Sequence, residues 1–369
     1  MDRMTEHESK KLRTGRTTGS CATAAAMAGT LYLLGGECPE TVDVPLPPGG
    51  TLRVPIARFE KVSGGVRVTV VKDGGDDPDA THGHDIQAVV SMSGGTSGPL
   101  RVEIDGGAGV GRASLPGLPI PVGQAAINPE PRKQIEQGVR QAAKGMGTGS
   151  ISVLVEVPNG HIIARKTMNA RLGILGGISI LGTQGIVKPY SHASWKATIE
   201  EGLDVARAQG LDAVVLTTGR RSERLYLEAF PGVPELACIQ AADFFESSMR
   251  AAADRGMARV TWSLFFGKLV KQAQGLAYTH AKTHPIDFDR LAGWCSEAGC
   301  AHEHIQDILN ANTARQVLAL LEDDRLRFRL IAALIDRATR VAQAFSGDRC
   351  AVDYAVFDFD GTRLDMPTS

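Results

Sequence analysis

Residues able to do acid-base chemistry crowd into one short stretch of the chain. The segment KDGGDDPDATHGHD, starting at Lys72, carries Asp73, Asp76, Asp77, Asp79 and Asp85 with Thr81, His82 and His84 inside thirteen residues. Carboxylates and imidazoles at this density, on a Gly-Pro loop that follows a strand pattern, are what a general base or a metal site needs. Asp76, Asp77, Asp79 and His82 are the catalytic candidates. Calcium is a weaker reading, because the fixed glycine and closing glutamate of an EF-hand loop are missing. A solvated acidic turn explains the same residues without any chemistry.

A second stretch, residues 165 to 191, reads RKTMNARLGILGGISILGTQGIVKPYS and sets Gly173, Gly176, Gly177, Gly182 and Gly185 in a near-continuous apolar run. Glycine is used where φ must be positive or where something approaches the main chain closely. With Arg165, Lys166 and Arg171 before them and Lys188 after, these glycines suggest backbone wrapped round an anionic ligand. Gly176, Gly177 and Thr183 are its cofactor-binding candidates. A crossover packed tightly on a sheet gives the same pattern. Two further anion sites are suggested. TTGSC at Thr17 opens an Ala-rich helix of roughly 20 to 34 whose first N–H groups could face an anion, although capping by Thr17, Thr18 or Ser20 accounts for the same residues. Arg132 and Lys133 fall in the first turn of a helix over roughly 131 to 144, where the helix dipole disfavours cations.

These groups need elements to position them. Residues 41 to 71 alternate in polarity between Pro and Gly-Gly turns, as strands in hairpins do, and ISVLVEV near 151 is another strand. After residue 192 the pattern changes. Amphipathic helices alternate with short apolar runs, DAVVLT, ELACIQ and ARVTWSLF, which implies a parallel sheet with right-handed crossovers. Ligands in such sheets sit beyond the carboxyl ends of the strands. Those ends are Thr217, Thr218, Gly219 and Arg220; residues 240 to 243; and Phe266, Gly267 and Lys268. The expected architecture is an α+β multidomain chain: an N-terminal α+β lobe over 12 to 165, a glycine-rich junction over 166 to 191, a Rossmann-like α/β lobe with a helical C-terminal part over 192 to 350, and a terminal strand and tail over 351 to 369. Helix caps are expected at Asp287 and Asn312, and residues 1 to 12 are read as frayed, order beginning at Arg13.

Several motifs mislead. The glycines at 107, 109 and 111 suggest a dinucleotide loop, but Pro116 and Pro119 follow and no helix opens there. GMGTGS at 145 fails for the same reason. Cys295, Cys300, His302 and His304 have ligand-like chemistry but a spacing too wide for a zinc knuckle, and no protein-held metal is expected. FDFDGT at 357 matches a phosphatase nucleophile motif, yet too little chain follows it, so a terminal strand is the better reading.

Composition narrows the class. The chain has 369 residues, a formal charge of −1 and 5% aromatics, so nothing global marks a nucleic-acid binder and layered α and β structure is favoured. Six cysteines without a framework read as reduced thiols in a cytoplasmic protein. The apolar run from 17 to 36 imitates a signal peptide, but it starts on capping residues and stops at Gly35 and Gly36. No membrane association is expected. A homo-oligomer is left open.

Four segments taken together carry a resemblance: TTGSCATAAA at 17, KDGGDDPDATHG at 72, GVGR with LPIPVGQAAINPEPR from 109 to 132, and KTMNARLGILGGISILGTQGIVKPYS at 166. They resemble the CbiD family, cobalt-precorrin-5B C(1)-methyltransferase of the anaerobic cobalamin pathway, over about residues 12 to 285. TTGRRSE, FFGKLVKQAQG and THAKTHP are similar to later family signatures, with Phe265 standing where many members have histidine. The resemblance implies methyl transfer from S-adenosylmethionine to C-1 of a tetrapyrrole, giving cobalt-precorrin-6A, with the cobalt carried by the substrate. It implies Thr217, Thr218 and Gly219 at the methyl donor, a base among residues 76 to 84, and Arg132, Arg165, Arg171, Arg220 and Arg221 on the substrate's carboxylates, since bidentate arginine suits them. A phosphotransferase and a non-catalytic tetrapyrrole-binding protein remain the alternatives.

Overall fold

The first element among the described residues is a two-residue strand, β1 (Gly15–Arg16), after which Thr17 caps α1 (Thr18–Gly35) by accepting from the Ser20 N–H at 3.1 Å. Gly36, left-handed at φ 74, ends that helix. This computed structural model describes residues 12 to 93, 99 to 146, 148 to 321 and 323 to 366. The expectations for residues 1 to 11 and 367 to 369 lie outside the described residues. By its internal contacts the chain divides into Met1–Ser191 and His192–Ser369.

In the first unit, β2 (Thr41–Pro45) and β3 (Thr51–Pro55) form a hairpin, followed by β4 (Arg58–Val62), β5 (Gly65–Val71), β6 (Asp85–Ser93), β7 (Arg101–Gly106) and the short β8 (Arg112–Ala113). Helix α2 (Pro129–Ala142), β9 (Ser150–Glu156), the one-turn α3 (Gly160–Ile163), β10 (Ile174–Leu175) and β11 (Ile186–Val187) complete it. Five strands make one sheet in the order β4-β5-β6-β9-β7, antiparallel except for the β7–β9 pair. Val66, Val68, Val70, Ile86, Ala88, Val90, Ile151, Val153 and Val155 recur at every second position and are all buried, which commits one face of each strand to the core.

Helix α1 lies on β5 and β6 and against α2, and its residues 18 to 30 are all buried. Small residues make this possible. A Cβ added at Gly29 would come within 2.6 Å of Val90, and one at Gly138 of α2 within 2.7 Å of Thr23. The Ala-rich run is therefore a core helix trapped between a sheet and a second helix.

The second unit contains α4 (His192–Ala208), β12 (Ala213–Thr217), α5 (Arg220–Ala229), β13 (Cys238–Gln240), α6 (Phe245–Asp254), β14 (Arg259–Phe265) and α7 (Phe266–Ala273). After these come α8 (Phe288–Glu297), α9 (His302–Leu309), α10 (Ala314–Leu320), α11 (Asp324–Ser346) and β15 (Ala351–Phe357). Four parallel strands run in the order β13-β12-β14-β15. The order reverses at β12, so the crevice between the carboxyl ends of β12 and β14 is the topological switch point. Apolar faces of α4, α6, α7 and α11 close over the sheet round the fully buried Trp262. Asp287 caps α8 as expected, but Thr313 rather than Asn312 caps α10, because the Thr313 hydroxyl accepts from the Gln316 N–H. The chain is thus a multidomain α+β protein with a parallel α/β unit.

Candidate active site

Segments far apart in sequence meet round the start of α1. The glycine-rich stretch crosses the helix N-terminus: the Gly19 N–H donates to Leu181 O, the Thr18 hydroxyl to the same oxygen, and the Ser20 hydroxyl to Gly185 O at 2.8 Å. β1 pairs with β11. On its other side, β1 meets the acidic loop, since the Arg16 N–H donates to Asp73 O and the Asp76 N–H to Arg13 O. Further back, the stretch threads beside residues 109 to 128 through the Ile178 N–H to Gly109 O, Gly111 N–H to Ile178 O and Ile180 N–H to Ala126 O bonds.

This geometry explains the glycines. A Cβ at Gly177 would sit 2.2 Å from Gly109 O, at Gly182 2.5 Å from Thr17, at Gly185 2.5 Å from Leu46 and at Gly173 2.5 Å from Leu115. Four of the five are packing glycines, required where backbone meets backbone or side chain. The packed-crossover reading holds at these four positions, and Gly177, buried against Gly109, presents no open backbone to a ligand. Gly176 differs. It is exposed with φ 83 and open space at its missing Cβ, and Thr183 nearby is also exposed.

The two helix starts read as anion sites have partners within the protein. The Gly19 and Ser20 N–H groups at the start of α1 are already taken by Leu181 O and the Thr17 hydroxyl. At α2, Arg132 reaches Ile104 O at 2.7 Å and Lys133 pairs with Glu130, so both first-turn cations are held by the protein itself.

The acidic loop is a closed structure. The Lys72 N–H donates to His84 O and the Gly83 N–H to Lys72 O, which seals its neck. Inside, the Lys72 ammonium, 1% exposed, pairs with Asp79. Burial opposes ionisation of Asp79, but Lys72 and the Thr81 hydroxyl and N–H outweigh it and hold the carboxyl below its usual value. Asp73 is held down to about 2, first by Arg13 and then by the Gly75 N–H. Asp76 accepts from the Arg13 N–H at 2.7 Å, and Asp77 from the Tyr190 N–H at 3.0 Å. His82 is exposed, and its Nδ1 accepts from the Gly74 N–H at 2.9 Å. Asp73 and Asp79 are thereby engaged within the loop; Asp76 and His82 are exposed, and Asp77 is half-buried. Arg165 is exposed, while Arg171 is half-buried and engaged with the protein.

In the second unit the carboxyl edge of the sheet is polar. Thr217 is buried, and the open backbone of Gly219 has nothing within 4 Å of its missing Cβ. Glu223, buried in the first turn of α5, accepts from Gln240 Nε2 at 3.2 Å. Beyond β13 and β14, the Lys268 ammonium donates to Asp243 and to the carbonyl and hydroxyl oxygens of Thr279, each at 3.2 Å. Lys271 donates to the same carbonyl. Burial, and after it the neighbouring Lys271, push Lys268 down to about 8. His192, Phe244 and Tyr278 pack as a ring cluster beside this triad, with centroids 4.8 to 5.2 Å apart. Arg220 is exposed, and Arg221 donates to Phe359 O. Among the described residues no group of three or more His, Cys, Asp or Glu could hold a metal ion, and no helix is long and apolar enough to cross a membrane.

Comparison with known proteins bears on what this geometry serves. The CbiD family model matches residues 5 to 189, and the CbiD C-terminal domain model matches residues 278 to 367. This chain belongs to the CbiD family. A protein of Nitratidesulfovibrio vulgaris named cobalt-precorrin-5B C(1)-methyltransferase is 47% identical to it, over 96% of this chain and 92% of the other. One of the same name from Priestia megaterium is 42% identical over 97% of this chain and 96% of the other. A crystal structure of the cobalamin biosynthesis protein CbiD from Archaeoglobus fulgidus is 27% identical, covering 71% of this chain and 80% of that one, with a TM-score of 0.39. The four segments that carried the CbiD resemblance are those that meet round α1. Two of its later signatures also meet, because Lys268 of FFGK binds Thr279 of THAKTHP. Sequence reasoning placed Asp243 and Lys268 at strand ends but did not join them, and it passed over Glu223. A buried acid in an otherwise amphipathic helix start was the available signal.

Proposed function

We propose that this chain methylates C-1 of cobalt-precorrin-5B with S-adenosylmethionine as donor, giving cobalt-precorrin-6A on the anaerobic route to cobalamin. The observation that carries the reading is the end-to-end likeness, at 47% identity over 96% of the chain, to a protein named for that activity. When bound, S-adenosylmethionine supplies an electrophilic methyl group whose bonding pair stays with sulfur.

Thr217, Thr218 and Gly219 are proposed to hold the donor. In support, the backbone at Gly219 is open and the first turn of α5 carries the buried Glu223, which suits a cationic, hydroxyl-bearing ligand better than a phosphate. The protein's main contribution is positioning and exclusion of water, since the electrophile needs no further activation. Arg165, Arg171, Arg220 and Arg221 are proposed to bind the acetate and propionate arms of the substrate. Asp77 and His82 are proposed to accept the proton that methylation of the ring releases.

Purified protein, methyl-labelled S-adenosylmethionine and anaerobically prepared cobalt-precorrin-5B should yield a product heavier by one methyl group, with the label on the ring. Folded protein that gives no labelled product from authentic substrate overturns the assignment, and a tight unmethylated complex would favour a carrier. A D77N/H82A double variant should lose about a hundred- to ten-thousand-fold in rate. Full rate in that variant removes the loop from the chemistry.

A further inference from the structure

The FDFDGT segment that closes β15 has a purpose the phosphatase likeness hides. Beyond Phe357 the chain reverses at once: the Asp358 N–H donates to Thr362 O, the Gly361 N–H to Asp358 O, and the Thr362 N–H to the Asp360 carboxylate at 2.8 Å. Asp358 accepts in turn from the Phe359 N–H at 2.6 Å. Both carboxylates are folded back onto the turn that they stabilise. The turn lifts Phe359 over Phe265, the last residue of the neighbouring β14, so that the rings stack with centroids 4.7 Å apart and planes 4° from parallel.

A phenyl ring at a sheet edge would ordinarily be buried, yet Phe359 is 41% exposed. Two arginines attend it. The guanidinium of Arg221 lies 5.4 Å from the Phe359 centroid and 5.9 Å from that of Phe265, and Arg315 at the start of α10 lies 5.4 Å from Phe359. Arg221 is also tied to the turn through Phe359 O. One side of the Phe359 ring rests on Phe265 and the two guanidiniums lie over it, so ring and guanidinium surfaces are offered together at the carboxyl edge of a parallel sheet, which calls for a ligand that is itself flat and conjugated with anionic groups on its rim. A small phosphate compound would use the arginines and leave the rings idle; a purely apolar ligand would do the reverse.

We infer that the stacked Phe265–Phe359 pair, with Arg221 and Arg315, is the docking face for the tetrapyrrole: macrocycle against the exposed part of Phe359 and the guanidiniums over it, peripheral carboxylates on the two guanidiniums. This rests on the proposed methyltransferase reading and adds Phe359, Phe265 and Arg315 to the substrate-binding set.

The test is a binding titration of the full chain with cobyrinic acid, a cobalt corrin whose acetate and propionate arms are free carboxylates, followed by its absorbance spectrum. Phe359→Ala and Arg315→Ala should each weaken binding about ten-fold or more, and Phe359→Trp should retain it. Arg315→Ala should also flatten the salt dependence, whereas Phe359→Ala should not. Calorimetric affinity for S-adenosylmethionine should stay within about two-fold of wild type in all three, which separates lost docking from lost folding. If wild type binds the corrin and methylates its substrate but Phe359→Ala binds equally well, the docking face is overturned and the function stands. Wild type that neither binds nor methylates overturns the functional reading and this inference with it.

Discussion

The Lys72–Asp79 pair gives the most exposed test of how the first unit is held together. Lys72 is 1% exposed and the Asp79 side chain 22%, with Cys21 on α1 close enough to feel the ammonium's field. Asp79→Asn leaves a cation in the core opposite a neutral amide, which costs about 3–5 kcal/mol when a buried pair is broken from one side. Lys72→Met removes the cation, keeps the packing of its stem, and leaves Asp79 with its Thr81 bonds and partial access to water. That change should cost only about 1–2 kcal/mol. The double variant K72M/D79N should therefore be more stable than D79N alone, an order that simple loss of one contact does not give. Tryptophan fluorescence cannot report it, because Trp195, Trp262 and Trp294 all lie in the second unit. Hydrogen exchange can. Peptides covering β5 and β6 should exchange roughly a hundred-fold faster or more in D79N, as a tenfold change corresponds to about 1.4 kcal/mol. Peptides from β12 to β14 serve as the internal control. Loss of under about 1 kcal/mol in D79N, or a Lys72→Met change as damaging as Asp79→Asn, would refute the claim that the charge is buried and committed to this partner.

Two other outcomes follow from the same unit. Gly177→Ala drives a Cβ to 2.2 Å from Gly109 O and should cost about 3 kcal/mol or more, or abolish soluble protein, whereas Gly176→Ala meets open space and should cost about 1–2 kcal/mol for its φ of 83; melting temperatures in the reverse order would sink the packing account. Asp73, held down to about 2, and Asp79, held below its usual value, have folded pKa values under their unfolded ones, so both stabilise the fold above about pH 4 and that contribution disappears as pH falls toward 2; exchange protection of β6 that stays flat across this window would contradict the pairing.

Much of the fold was legible in the chain because it is local. Alternating valines marked β5 and β9, a capping threonine and a terminal glycine bounded α1, and apolar runs between amphipathic helices marked the parallel sheet, whereas β6 was not read as a strand. The same reading located the acidic loop and the glycine-rich stretch as unusual, and their likeness to CbiD was plain from the residues themselves. What each acid or glycine was for could not be read. Asp79 looked like a base until Lys72 was found buried beside it, and four glycines looked like a ligand loop until their neighbours proved to be Gly109, Leu115, Thr17 and Leu46.

The physical reason is the range of the forces concerned. Periodicity and capping act over a few residues, so composition and spacing suffice to determine them. Whether a carboxylate is free to take a proton, or an N–H free to bind an anion, depends on a partner that the fold brings from elsewhere: Leu181 O reaches the Thr18 hydroxyl across 163 residues. Phe359 reaches Phe265 only because β14 and β15 lie side by side. By itself the sequence determined the elements and the family; tertiary structure alone decided which of the reactive side chains were already engaged.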